Sequence, residues 1–222
     1  MATSSSYDFS LDVGEIIEEA YERCGIEVRT GYDARTARRS LNIMFAEWAN
    51  RGLNLWTVKQ ATQTLTQGTS AYTLTSDKVV DVLEVSLRRS STDYEVKRIS
   101  RGEYSTLPNK TTQGRPSQFY FDRQIAPIIN LWAVPENSTD QLIYYYVQRI
   151  EDADSLVNTT DTPFRFYPCM VAGLAYYIAM KRAPERLQLL KSVYEEEFQR
   201  ASDEDEGRTP LKLQPSLEYL RV

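Results

Sequence analysis

The sequence contains no histidine among its 222 residues. That absence excludes Ser-His-Asp and Cys-His nucleophile systems, histidine general bases and zinc sites with histidine ligands. The phosphate-binding pattern G-x-x-x-x-G-K-[ST] and the dinucleotide pattern G-x-G-x-x-G are also missing. Of the enzyme classes considered, a carboxylate-based hydrolase is the one left, with acid pairs drawn from 151–154 or 195–197. These acids lie in a polar linker or on a solvated helix face, so we expect no enzymatic activity, no cofactor and no metal.

Cysteine and long apolar runs are scarce as well. Cys24 and Cys169 each fall on an apolar helix face, which favours two reduced packing thiols over a disulfide. The longest apolar run, CMVAGLAYYIAM at 169–180, is shorter than the roughly 20 residues that cross a bilayer. The N-terminal residues MATSSSYDFS have neither the basic region nor the apolar segment of a signal peptide. We therefore expect a protein made in the cytoplasm, without a membrane partner.

Apolar residues at helical spacing predict two helices near the start of the chain. The first is expected to use Ser10 or Asp12 as its N-cap and Gly25 as its stop. The second is expected to begin with Asp33 as its cap and to end at Gly52. The buried stripe of the first helix is Val13, Ile16, Ile17, Ala20 and Cys24.

Two further helices are predicted near the other end of the chain. Pro163 suits a first helical turn, and Pro184 should stop or kink that helix near Ala183. Its expected buried stripe is Phe164, Tyr167, Val171, Leu174 and Ile178. The helix that follows has Leu187, Leu190, Tyr194 and Ala201 in register.

Between the helix pairs, the pattern shifts toward period 2 and toward residues that favour strands. We expect strands at 79–87, 94–99, 119–121, 128–134 and 141–147, and a hairpin whose strands are 57–66 and 71–74. Ser100 should cap a short helical turn. The predicted fold is α+β: an antiparallel bundle of about four helices with an inserted small antiparallel β-sandwich or barrel. The expected domains are 1–55 and 162–206 for the bundle, 56–161 for the β module, and 207–222 for an extended C-terminal arm.

The C-terminal arm, 207–222, fits neither part of this fold. Two prolines prevent a continuous helix, yet the arm is too apolar for a solvated tail. Such a strand can add to the edge of a partner or fill its groove. We therefore expect it to bind another protein or a neighbouring subunit, with folding back on its own bundle as the alternative. The residues expected to make this contact are Leu211, Leu213, Leu217, Tyr219 and Leu220.

In order and in local pattern, the chain resembles the head-to-tail adaptor proteins of short-tailed bacteriophages, also called connector or tail tubular protein A-like proteins. The resemblance is carried by ARRSLNIMFAEWANRGLNLW, TLTQGTSAYTLTSDKVVDVLEV, GRPSQFYFDR, INLWAVPENSTDQLIYYYVQRI and TPFRFYPCMVAGLAYYIAMKRAPERLQLLKSVYEEEFQRA. It covers most of residues 10–206.

This resemblance implies a structural virion protein at the head-tail junction. It implies a ring, usually of twelve copies, that lies beneath the portal protein and carries the tail nozzle protein. The ring would extend the channel for double-stranded DNA and help to retain the packaged genome. The resemblance also implies that the C-terminal arm engages the portal.

Charge placement supplies the remaining candidate residues. Residues 185–206 carry eight acids and three bases, which equals the net charge of −5 of the whole chain. A ring needs two different surfaces that meet head to tail. Two oppositely charged helix faces are candidates, although both could be ordinary solvated faces: Arg35, Arg38, Arg39, Glu195 and Glu196. The densest basic region is a candidate for weak DNA contact, or else a salt-bridged sheet surface: Arg88, Arg89, Lys97 and Arg98.

A carbohydrate- or receptor-binding virion module, or a tail-fibre attachment module, is the alternative function. It is suggested by fifteen tyrosines and by the aromatic cluster near the end of the β region. Tyr144 and Tyr146 should share one strand face, opposite Tyr145, so one set could stack on a sugar. Packing of both sets is the simpler interpretation.

Overall fold

The computed structural model describes residues 5–52, 55–74 and 78–205, and it is an α+β protein. The described helices are α1 Val13–Arg23, α2 Gly31–Arg51, α3 Arg101–Thr106, α4 Tyr167–Arg182 and α5 Leu187–Asp205. The strands are β1 Val58–Thr64, β2 Ala71–Thr73, β3 Val79–Arg89, β4 Thr92–Glu95, β5 Lys97–Arg98, β6 Gln113–Gly114, β7 Gln118–Asp122, β8 Ile128–Trp132, β9 Val134–Pro135 and β10 Gln141–Gln148.

Helix α1 begins and ends as its local sequence predicts. The Asp12 carboxylate accepts a hydrogen bond from the Glu15 N–H, and the Glu15 carboxylate accepts one from the Asp12 N–H, which is a complete capping box. Gly25 follows the helix with φ of +70°, a conformation that glycine adopts without the steric cost of a Cβ. The whole predicted stripe is buried, from Val13 to Cys24.

The predicted cap of α2 is wrong by one turn. Thr30 is the N-cap, and its hydroxyl oxygen accepts a hydrogen bond from the Asp33 N–H. Asp33 instead lies inside the first turn, where its carboxylate pairs with Arg182 of α4 at 2.6 Å. This contact fixes the start of α2 against the end of α4.

Helix α4 is the centre of the helical core, but it begins later than predicted. A 3-10 turn at Phe164–Phe166 precedes it, and this turn leaves Phe164 69% exposed. Phe164 therefore does not belong to the buried stripe, whereas Val171, Leu174 and Ile178 do. The break at Pro184 is confirmed, since α4 ends at Arg182 and α5 begins at Leu187.

The helices share one hydrophobic core. Helix α4 contacts α1, α2 and α5, and the core includes Trp48 of α2 and Tyr194 of α5. At the end of α5, Asp205 connects the helix to two other segments of the chain. The buried Asp205 carboxylate accepts the Leu55 N–H at 2.7 Å and pairs with Arg165.

The strands form two four-stranded sheets and a two-stranded pair, in the orders β1-β10-β3-β4, β2-β8-β7-β5 and β6-β9. Both four-stranded sheets contribute to a second hydrophobic core, with Val85 and Leu142 from one sheet and Phe119 and Leu131 from the other. The sheets are mainly antiparallel, but β5 pairs with β7, and β6 with β9, in parallel. No closed barrel forms among the described strands, so the barrel alternative is wrong.

The predicted hairpin of β1 and β2 is also wrong. The turn between them exists, since the Thr69 N–H donates to the Thr66 carbonyl at 3.1 Å. However, β1 pairs with β10 and β2 pairs with β8, so the two strands enter different sheets. Each strand therefore pairs with a strand that is distant in sequence, although the local turn is present.

A β-bulge in β3 explains the mixed register that its sequence shows. Tyr145 pairs with Glu84 and Tyr146 pairs with Val82, which leaves Leu83 as the extra residue. Val82 and Val85 therefore both face the core although three positions separate them, while Leu83 is exposed.

Candidate assembly surfaces

The predicted basic face lies on the first half of α2. Arg35 and Arg39 are exposed, whereas Arg38 is half-buried and donates to the Asp154 carbonyl oxygen. Lys181, which was not predicted from the sequence, lies beside this face and donates to the Ser40 hydroxyl at 2.6 Å. Partial burial and the positive charge of Arg39 lower the pKa of Lys181. The signal available in the sequence was the pair of basic residues that ends α4.

The predicted acidic candidates on α5 are already paired within the chain. Glu195 accepts two hydrogen bonds from the Arg51 guanidinium, at 2.6 and 2.8 Å, and these bonds lower the pKa of Glu195. Glu196 pairs with Arg200 and stays largely exposed. Thus Glu196 retains more of a free surface than Glu195 does.

The guanidinium of Arg51, which was not predicted as a functional group from the sequence, is the centre of a polar cluster. It pairs with Glu47 as well as Glu195, and it lies over the rings of Phe198 and Tyr194, with its Cζ 4.5 and 4.9 Å from the two centroids. Glu47 lies one turn away on the same helix, whereas the partners on α5 are about 145 positions away in sequence, so only the packing of α2 against α5 brings them together.

Three of the four predicted DNA-facing residues form ion pairs within the chain. Arg88 makes two hydrogen bonds of 2.7 Å to Asp93, and Arg98 pairs with Asp81 at 2.9 Å. Arg89 binds Asp140, a carboxylate that is almost fully buried, at 2.7 Å. Lys97 is exposed. The predicted contact of these residues with DNA stays a prediction.

The predicted binding residues of the arm, Leu211, Leu213, Leu217, Tyr219 and Leu220, lie outside the described residues. The tyrosines of β10 divide as expected: Tyr144 is buried and Tyr146 packs against the core of the sheets, while Tyr145 is 42% exposed. Tyr145 accepts a hydrogen bond from Gln60 at 3.2 Å. Tyr145 is therefore the one exposed side chain of the three.

The comparison with protein families decides the assignment. The family model of the SU10 adaptor protein matches residues 12–214, which includes both helix pairs and every described strand. The chain belongs to the SU10 adaptor protein family. This membership confirms the resemblance to phage head-to-tail adaptors at the level of the family, and it supports a structural adaptor role in a bacteriophage virion.

Three further findings concern this SU10 adaptor family member. A search of the curated proteins finds no match. Among the helices described, none is both long and apolar enough to cross a membrane. Across the described ranges, no group of three histidine, cysteine or acidic side chains is arranged to hold a metal ion.

Proposed function

We propose that this protein is a head-to-tail adaptor of a short-tailed phage, assembled as a ring of twelve copies beneath the portal protein. The ring extends the DNA channel, helps to retain the packaged DNA and carries the tail nozzle protein. The observation that carries the proposal is the family match over residues 12–214. The protein acts as a structural component and not as an enzyme, and it is made in the cytoplasm of the host before it joins the virion.

In this proposal, the two hydrophobic cores correspond to two domains. Residues 1–55 and 162–206 form a helical bundle, and residues 56–161 form a β-sandwich inserted in it. The arm, 207–222, binds the portal or a neighbouring subunit. The separate cores of the helices and the sheets support this division.

The placement of charge on the helices supports a head-to-tail contact between subunits. Helices α2 and α4 are antiparallel, since Asp33 contacts Arg182 at one end and Trp48 packs on Phe166 at the other. Glu195 lies beside Arg51, and sixteen residues of helix separate Arg51 from Arg35, which is roughly 24 Å at 1.5 Å per residue. The basic face and the acidic candidates therefore lie at different positions along the axis of α2. Such an offset suits a contact between two different surfaces, which is what a ring requires.

Contact with DNA is weak and non-specific in this proposal. Tight binding of duplex DNA needs several lysine or arginine contacts to phosphates, and most of the basic candidates on the sheets already hold carboxylates. The net charge of −5 also opposes tight binding. Weak contact suits a channel, because the genome has to slide through it.

Native mass spectrometry of the protein, alone and mixed with the portal protein of the same virus, tests the proposal. We expect a monomer alone and a complex with twelve copies on the portal. A chain lacking residues 207–222 should stay folded and lose the complex. A protein that remains monomeric with the portal would overturn the proposal. Binding of the isolated protein on a glycan array would then favour the alternative of a carbohydrate-binding module.

A charge-exchange series tests the proposed contact between subunits. Arg35→Glu with Arg39→Glu should abolish the twelve-copy complex, and Glu196→Lys in the same chain should partly restore it if these faces meet. Arg101→Glu with Arg123→Glu is the matched control, because it changes the net charge by the same amount, and both arginines are exposed, lie outside α2 and have no ion-pair partner among the described residues. Equal assembly of all variants would contradict the assignment of the faces while leaving the adaptor role intact.

A further inference from the structure

A groove of about 470 Å³ lies between α1 and the start of α4. One side is aromatic: the rings of Phe9, Phe164 and Tyr167 contact one another edge to face, with centroids 5.8 to 6.5 Å apart. Phe9 is 66% exposed and Phe164 is 69% exposed. Tyr167 is partly buried. The two exposed rings and the part of Tyr167 beside them form an apolar surface for another segment to cover.

The other side of the groove is acidic. Helix α1 contributes four exposed glutamates and one arginine to it, which gives a net charge of −3. Glu15 serves the capping box and Glu19 pairs with Arg23 at 3.0 Å. Glu18 and Glu22 have no ion-pair partner within the described part of the chain. The groove thus suits a segment that is both apolar and basic.

The arm, 207–222, has that composition. It contains five large apolar side chains, and it carries three basic residues against one acidic residue, Glu218, which gives a net charge of +2. Its basic residues are Arg208, Lys212 and Arg221. Charge and hydrophobicity are therefore complementary between the arm and the groove.

The last described residue before the arm lies close to the groove. The last described residue of α5, Asp205, pairs with Arg165, and Arg165 directly follows Phe164 of the groove. Sixteen residues reach roughly 50 Å when fully extended, so an arm that leaves the chain at this point reaches the whole groove. A neighbouring subunit is not needed to fill it.

We propose that the arm binds in the groove of its own chain before the protein assembles. The leucines and Tyr219 cover the rings of Phe9, Phe164 and Tyr167, and the basic residues of the arm pair with Glu18 and Glu22. The contact is made within one chain, so it does not depend on the proposed function. If the arm also binds the portal, the groove and the portal compete for it.

Photo-crosslinking in the full chain tests this contact without any portal protein. The photoreactive residue p-benzoylphenylalanine replaces Tyr219 in one variant and Leu213 in another, and the products are separated by mass and mapped by peptide sequencing. We expect crosslinks within a single chain to peptides that contain residues 9–23 or 164–171. Crosslinks that join two chains would overturn the proposal, and so would crosslinks elsewhere or none from either position.

Charge reversal identifies the acidic side of the groove as the partner. Glu18→Lys with Glu22→Lys should reduce the yield of the intrachain crosslink by at least about fivefold, since two attractive pairs become repulsive. The matched control is Glu84→Lys with Glu95→Lys, which changes the net charge by the same amount as the groove variant. Both glutamates are exposed on β3 and β4 and have no ion-pair partner among the described residues, so the crosslink yield should stay unchanged. An equal fall in both variants would overturn the assigned site. A fall in the groove variant, together with normal assembly on the portal, would support the groove while separating it from the adaptor function.

Discussion

The indole N–H of Trp48 donates a hydrogen bond to the phenolic oxygen of Tyr194, 2.9 Å away, inside the helical core. Both side chains are almost completely buried, and the Tyr194 hydroxyl in turn donates to the Glu47 carboxylate. Burial and the Glu47 carboxylate raise the pKa of Tyr194, so the phenol keeps the proton that it donates. This chain of hydrogen bonds joins α2 to α5.

Replacement of Tyr194 by phenylalanine should therefore destabilise the protein. The variant leaves the buried Trp48 N–H without its acceptor, at a cost of about 1–3 kcal/mol. Urea unfolding followed by far-UV circular dichroism measures the change. Tyr145→Phe is the control, because its exposed hydroxyl should contribute less than about 0.5 kcal/mol. Equal stability of both variants would show that the buried bond contributes nothing.

Gly173 lies where α4 packs against Met44 of α2 and Tyr194 of α5, and alanine should not fit there. A Cβ at this position would meet the Met44 Sδ and would lie 2.7 Å from the Tyr194 Cε2. Gly173→Ala should cost about 1–3 kcal/mol, as overpacking in cores does. Gly102→Ala in α3 is the matched control, because the nearest neighbour of its Cβ is the Ser100 Oγ at 3.8 Å. That variant should gain up to about 1 kcal/mol. A stabilising effect at Gly173 in thermal unfolding would contradict the packing.

Two neighbouring arginines should differ sharply in their effect on stability. Arg89→Ala leaves the carboxylate of Asp140, which is 1% exposed, without its cation, and should cost roughly 3 kcal/mol. Arg88→Ala removes an exposed pair that solvent screens, so it should change the free energy of unfolding much less. Chemical unfolding of the two variants gives the comparison. Addition of Asp140→Asn to Arg89→Ala should recover part of the loss, and a further loss would argue against a buried charge as the cause.

The two thiols should be unreactive in the native protein. Burial raises the pKa of both Cys24 and Cys169, and the Cys24 thiol donates to the Ala175 carbonyl oxygen at 3.2 Å. A raised pKa leaves little thiolate near pH 8, and thiolate is the reactive form. Ellman's reagent should detect the two thiols only when urea unfolds the chain. Rapid reaction of either thiol without urea would show that the helical core opens locally.

The parts of the fold that the sequence predicted are those that neighbouring residues decide. The capping box of Asp12 and Glu15 and the turn at Gly25 involve residues within a few positions of each other, and α1 was predicted with its full buried stripe. The pairing of β1 with β2 was wrong because a turn signal at Gly68 indicates only a change of direction. The competing partner of Ala61 is Tyr144, far along the chain, and its advantage is visible only in the folded sheet.

The errors in the helices and in the candidate surfaces have related physical causes. The α-helical spacing of the sequence predicts Phe164 in the buried stripe. The prediction is wrong because Phe164 lies in a 3-10 turn, which advances by a different angle per residue than an α-helix does. The charges of Arg51 and Glu195 are visible in the sequence, but their ion pair is not, because it depends on the packing of α2 against α5. The acidic row of α1 was readable as an exposed face, but its aromatic partner at Phe164 was assigned to the core.

The carboxylate of Asp205 touches the chain at both points where the β region joins the helices, next to β1 at Leu55 and before α4 at Arg165. It is also the last described residue before the arm. Loss of this one carboxylate would therefore release the end of α5 from both connections of the β region at once.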